Sequence, residues 1–209
     1  KKTIPWLAKR SEICWSCRRL LAEALCLDFQ TTLPRTKMAI DLQLRAIKEA
    51  PTTEKLGQEA FLTILYSRMA YDHVNANRMN DAIAILKHSL AMFPKLLTKA
   101  KGQAVHSLIL CYYIDSMSTA RFLAYGDVPS VKTITDTFKE IKKGDFKEDE
   151  LFLYHLALSI VARERNEIEK AEQHLFDSMD ICPTHWHNNL ILRMTNLSFL
   201  KGMDLLTGQ

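Results

Sequence analysis

Cys14-Trp15-Ser16-Cys17 places two metal- and redox-competent side chains at a chemically meaningful spacing in a chain of 209 residues. A Cys-x-x-Cys pair can cycle between dithiol and disulfide, or supply half the ligands of a tetrahedral zinc. The redox use needs a preceding strand in a βαβ context, and the flanking sequence has no alternating strand pattern. The zinc use needs two further ligands, and Cys182 with His185 or His187 offers them only at the opposite end of the chain. His73 and His155 stand inside apolar helical patterns, where they read as packed residues rather than bases. Glu148, Asp149 and Glu150 precede an apolar run, as acids do at the positive start of a helix. No nucleophile elbow, phosphate loop, HExxH or dinucleotide fingerprint occurs. The expectation is no catalytic residue, no metal site and no cofactor.

The elements that hold these residues follow one pattern. After Asn77 an apolar residue comes two places on, then Ala82, Leu86, Ser89 and Pro94; after Asn166 come Ile168, Ala171, Leu175, Ser178 and Pro183 at the same offsets. A partial copy keeps Ala39, Ala46 and Pro51 but has Gln43 in the Leu position. Ala, Leu and Ser at i, i+4 and i+7 share one helix stripe, and the small residues admit a close neighbour. Each Asn suits a left-handed helix exit, and each Pro is expected to stop the helix or start the next. In the partial copy the larger apolar residues Ile40, Leu44 and Ile47 run one position later. That predicts an apolar face rotated by about 100°, with Gln43 at its boundary.

These segments resemble the second helices of tetratricopeptide (TPR) repeats, with Tyr66, Met69, Ala70 and His73 in the first-helix positions of one copy. His155, Leu158, Ser159 and Ala162 hold those positions in the later copy. The prolines at 51, 94 and 183 are farther apart than the ~34 residues of that repeat, so helices or connections are longer. Between the two good copies only Val131, Ile134, Phe138 and Ile141 survive of a second helix, with Phe146 where Pro is expected. The resemblance implies an all-α protein: an α-solenoid of about four TPR-like helix pairs plus a C-terminal capping helix, one superhelical domain over residues 1–209. Helices are expected at about 6–30, 35–49, 53–75, 79–93, 97–124, 151–164, 168–181 and 184–206, with a short one between the break at 126–129 and about Lys143.

The resemblance also implies a concave groove lined by first helices. Its walls would be Ile64, Ser67, Tyr71 and Val74 in one unit and Leu153, Leu156, Ile160 and Arg163 in the last. Members that clamp a chaperone C-terminal tail resemble one another in a Lys and Asn on the first groove helix and a Lys and Arg on a later one, where this chain has Ser67 and Tyr71, or Leu156 and Ile160, so such a tail is not the expected partner. The implied partner is a protein presenting an apolar peptide or an amphipathic helix to a non-enzymatic scaffold or adaptor within a complex, unless the apolar walls pack on each other or on the C-terminal helix.

Bulk properties agree with such a module. Hydrophobic residues are 47% and charged residues 25%, ordinary for a folded domain, and the 6 Gly and 6 Pro are too few for a protein built on hairpins. A formal net charge of +4 does not demand nucleic acid. Lys9, Arg10, Arg18 and Arg19 nevertheless gather near the start, and the alternative reading is a helical-repeat protein that sets this basic patch on nucleic acid. Five cysteines, an odd number, fit a reducing compartment better than a disulfide framework. No apolar run approaches the ~18 residues of a membrane span, so no membrane partner is expected and the localisation is intracellular, cytoplasmic or nuclear. A start at Lys1-Lys2 without Met suggests a fragment of a larger protein.

Overall fold

A computed structural model describes residues 14–27, 32–123, 129–187, 189–191 and 193–198. Within them every regular element is helical: α1 (Trp15–Leu27), α2 (Leu33–Glu49), α3 (Thr52–Asn75), α4 (Met79–Ala100), α5 (Val105–Phe122), α6 (Val131–Lys139), α7 (Leu151–Glu164) and α8 (Ile168–Ile181). Two 3₁₀ turns, Lys143–Asp145 and Glu148–Glu150, lead into α7, and a third, Thr184–Trp186, follows α8. Helical residues then recur at 187, 189–191 and 193–198. The helices pack on their neighbours in sequence order, and α3 also meets α5, as α5 meets α7. The odd-numbered helices α1, α3, α5 and α7 thus touch in succession, while α2, α4 and α6 each touch the two that flank them in sequence.

The repeated pattern produces the same local structure twice. Asn77 and Asn166 both adopt φ of 60°, the left-handed conformation expected of them. Around Asn77, Arg78 N–H donates to His73 C=O at 2.8 Å and Asn77 N–H to Val74 C=O at 2.9 Å. Around Asn166, Glu167 N–H donates to Ala162 C=O and Asn166 N–H to Arg163 C=O, both at 2.9 Å. These bonds form a Schellman exit, which satisfies carbonyls that the helix end leaves without partners. The reversal lets α4 and α8 lie back along α3 and α7. Their stripes face inward, with Ala82, Leu86 and Ser89 buried in one and Ala171, Leu175 and Ser178 in the other. Ser89 Oγ donates to Thr63 C=O at 3.2 Å and Ser178 Oγ to Phe152 C=O at 2.9 Å, each reaching 26 residues back. The small serine brings the helices close and supplies a donor to a carbonyl on the facing helix.

Two local expectations need correction. Gln43 is not a boundary residue: it is fully buried at 0% exposure, while Leu44 is 39% exposed. The partial copy therefore keeps the Ala39–Gln43–Ala46 stripe inward. Gln43 Nε2 donates to Gln58 C=O at 2.9 Å and Gln58 Oε1 at 3.1 Å, which satisfies the donor side of the buried amide. Pro94 neither ends α4 nor starts the next helix, for α4 runs through it to Ala100. Phe93, Leu96 and Ala100 are buried in helical register, and their packing outweighs the one backbone bond that Pro94 removes. The chain turns instead at residues 101–104, where Gly102 has φ of 80°.

Ile134 is fully buried in the short α6, with Phe138 and Ile141 packed against the core, as their spacing predicts; Phe146, which stands where Pro is expected, packs there too. The C-terminal segment does more than follow α8. Trp186 packs on Phe152 of α7 with ring centroids 5.1 Å apart, and its Nε1–H donates to Glu23 Oε1 of α1 at 2.7 Å. Arg193 Nη2 donates to Asp115 Oδ1 of α5 at 2.6 Å. The first and last described parts of the chain, expected to lie far apart, therefore meet.

Candidate functional site

The apolar positions predicted to line a groove are mostly consumed in packing. Ile64, Ser67, Leu153, Leu156 and Ile160 are buried, whereas Tyr71, Val74 and Arg163 are half-buried. Ile64, Leu153 and Leu156 close on Tyr112 of α5 and on Trp186, forming an apolar seam. The reason is the C-terminal segment, whose Trp186 fills the space against α7 and holds α1 there through Glu23. Packing of the groove on itself, the second possibility raised by the sequence, thus describes its apolar part.

Two clefts of similar volume flank the seam. One, of about 420 Å³, lies between α3, α5, α7 and the C-terminal helical residues, with Ile64, Ser67, Tyr71 and Arg163 of the predicted set on its wall. The other, of about 410 Å³, lies between α1, α3, α5 and the turns before α7. Their charges oppose. The first carries Arg68, Arg163 and Arg193 with Asp115; the second carries Glu23, Glu54, Asp145, Asp149 and Glu150 with Arg19 and Lys147.

The basic cleft has fixed walls. Arg163 bonds Ser118 Oγ and sets Nη2 at 2.9 Å from Glu164 Oε1, while Arg121 Nε donates to Glu164 Oε2 at 2.7 Å. Burial alone would raise the Glu164 carboxyl, but bonds from Ser118, Arg121 and Arg163 outweigh it and hold the group below the usual glutamate range. Arg193 Nε also donates to Asn189 Oδ1 at 2.9 Å. Arg68 lies 3.5 Å from Asp72, which accepts a bond from Thr36 Oγ1 of α2. Phe122 is 57% exposed at the rim, its ring 5.9 Å from that of Tyr71. Asn75, Asn189 and Asn196 add carboxamides that both donate and accept. The arrangement can hold a polar backbone between amides, attract carboxylates to oriented guanidinium groups, and cover an apolar side chain with an exposed aromatic ring.

The other predicted residues are differently placed. Lys9 and Arg10 lie outside the described residues. Arg18 pairs with Glu49, and Arg19 Nη2 donates to the buried Glu23 Oε2 at 3.1 Å, so both side chains brace α1. Cys14 and Cys17 are half-buried at the start of α1, and Cys14 Sγ lies 3.4 Å from Ser16 Oγ. Bonds with Ser16, then Cys17, bring the Cys14 thiol down to about 7. Cys182 is buried and bonds Met179 C=O at 3.6 Å, and burial pushes its thiol up to about 11. Although α1 and the turn after α8 meet, they do so at Glu23 and Trp186 rather than at the cysteines. His73 is buried, 3.5 Å from Asp81, as expected of a packed residue.

A cluster that the sequence reading passed over joins His155 of α7 to His174 and Asp177 of α8. His174 and Asp177 have the i, i+3 spacing of a shared helix face, but nothing linear links them to His155. Among the described residues, no helix is long and apolar enough to cross a membrane. No protein family, curated protein or solved structure matches this chain.

Proposed function

We propose that this chain is a non-catalytic interaction module of the TPR-like solenoid class, and that it receives an extended acidic peptide segment with one apolar anchor in the basic cleft. The observation that carries the reading is the combination, on one cleft wall, of three arginines, each held by one acid with guanidinium donors to spare, with Asn75, Asn189, Asn196 and the exposed Phe122. Amides suit the alternating N–H and C=O groups of an extended backbone. Arginine is suited to carboxylates, and its partners Asp115, Glu164 and Asp72 orient it before a ligand arrives. The anchor would cover Phe122 beside Tyr71.

This reading narrows the partner implied by the family resemblance. An apolar helix would need the buried faces of Leu153, Leu156 and Ile160, which already pack within the molecule. The regular packing of helices on sequence neighbours, the two Schellman exits and the inward Ala–Leu–Ser stripes support the solenoid class. The module would serve as a scaffold or adaptor in a larger assembly.

A random twelve-residue peptide library displayed on phage tests the function. Selection on the wild-type chain is expected to enrich acidic peptides bearing an aromatic or large aliphatic residue. Those peptides should lose at least tenfold in affinity for Arg163→Glu/Phe122→Asp and weaken as salt rises. Enrichment of basic or featureless peptides, or equal binding to a folded double variant, refutes the assignment.

A further inference from the structure

We propose that His155, His174 and Asp177 form a binding site for a divalent first-row transition metal of the zinc class, joining α7 to α8. His155 Nδ1 and His174 Nδ1 stand 3.5 and 3.6 Å from Asp177 Oδ2, and the three ligand atoms all lie within 4.8 Å of one another. Those separations exceed a good N–H···O bond. They approach instead the ~3.3 Å between two ligands of a tetrahedral zinc with bonds of about 2.0–2.1 Å.

Three further observations converge on the same point. Both Nδ1 atoms are shielded from solvent and face Asp177 Oδ2 at separations too long for a good hydrogen bond, a contact that a shared cation would complete. Gln173 Nε2 donates to Asp177 Oδ1 at 2.9 Å, which fixes the carboxylate and leaves Oδ2 toward the histidines, the outer-shell arrangement that orients metal ligands. The two helices are already braced, since Ser159 Oγ donates to Ala171 C=O at 2.8 Å and Ser178 Oγ to Phe152 C=O at 2.9 Å.

The other well-formed pair provides an internal comparison. With Asn77 aligned on Asn166, the equivalent positions are Tyr66, Ile85 and His88. There Tyr66 and His88 meet edge to face with ring centroids 5.1 Å apart. The repeat therefore packs with an aromatic pair at these positions, and the later copy replaces it with two imidazoles and a carboxylate. That donor set suits Zn²⁺, Co²⁺, Ni²⁺ or Cu²⁺ better than Mg²⁺ or Ca²⁺. Three protein ligands leave a fourth position for water.

The test uses the untagged chain, stripped with chelator and titrated with Zn²⁺ and Co²⁺. One equivalent of Zn²⁺ is expected to bind and, at a hundredfold excess over Kd, to raise the thermal midpoint by about 5–10 °C. Bound Co²⁺ should show visible bands of tetrahedral nitrogen and oxygen coordination without a thiolate charge-transfer band. His174→Ala and Asp177→Asn should each weaken binding at least a hundredfold, whereas His88→Ala and Cys14→Ser/Cys17→Ser should leave it unchanged. Absence of stoichiometric binding overturns the proposal, as does loss of binding in the cysteine variant alone. If a ligand variant fails to fold, the wild-type Co²⁺ spectrum still decides, because a thiolate band contradicts this site.

Discussion

Replacing Trp186 by Phe keeps a ring against Phe152 but removes the donor that ties the end of the described chain to α1. Trp186 is 3% exposed and Glu23 4%, so water cannot replace the 2.7 Å bond between them without opening the contact. A hydrogen bond to a charged group contributes about 1.5–3 kcal/mol. Arg19 still donates to Glu23 Oε2 at 3.1 Å, which keeps the loss below the ~3–5 kcal/mol of a buried charge left unpaired. A double-mutant cycle of Trp186→Phe with Glu23→Ala, read by urea unfolding, isolates the bond from the smaller ring volume. The coupling should be about 1.5–3 kcal/mol, equivalent to about 3–12 °C in thermal midpoint at this chain length. Hydrogen exchange should also quicken in α1 more than in α8. A coupling below about 0.5 kcal/mol, the ordinary limit of additivity, would show that the ends are held by shape alone.

Other perturbations address the repeat and the cysteines. Ser89→Ala and Ser178→Ala should each destabilise by about 0.5–1.5 kcal/mol and sum in the double variant, because they serve separate helix pairs; marked non-additivity in denaturant melts would contradict that separation. Asn77→Val and Asn166→Val should each cost more than about 1 kcal/mol because φ of 60° is strained for a β-branched residue, while Asn→Gly should be near neutral; equal melts for the two replacements would remove the turn argument. Iodoacetamide should label Cys14 with a midpoint near pH 7, since its depressed pKa exposes thiolate there, while the buried Cys26, pushed up to about 12, stays unlabelled in the folded chain; labelling of both with one midpoint, read by peptide mass spectrometry, would overturn the ranking.

What could be read in the sequence was periodic and local. Ala82, Leu86, Ser89 and their later counterparts declare a buried stripe because helix periodicity maps spacing directly onto a face. Asn77 and Asn166 declare their turns because few residue types tolerate a left-handed backbone. Gln43 was misplaced because its burial depends on Gln58, on another helix, and a single helix pattern carries no trace of that partner. Pro94 misled because local propensity favours a stop, while packing of Phe93, Leu96 and Ala100 continues the helix. Closure of the apolar groove followed from Trp186 meeting Glu23 and Phe152, contacts across most of the chain that no spacing rule predicts. The resemblance named Arg163 and Tyr71, but Phe122, Arg193 and the asparagines join them on the cleft wall only in three dimensions. The same holds for His155 with His174 and Asp177.

The assignment of the basic cleft as the docking surface is tested most directly by photo-cross-linking from two exposed phenylalanines. Phe122 sits on the cleft and is 57% exposed; Phe176, on α8, is 51% exposed and is not part of the cleft wall. With benzoylphenylalanine in either position and native extract as the source of partners, the account predicts discrete adducts from position 122, lost with Arg163→Glu and on adding a selected acidic peptide. Adducts that are equal from both positions, or that persist under both challenges, would contradict it.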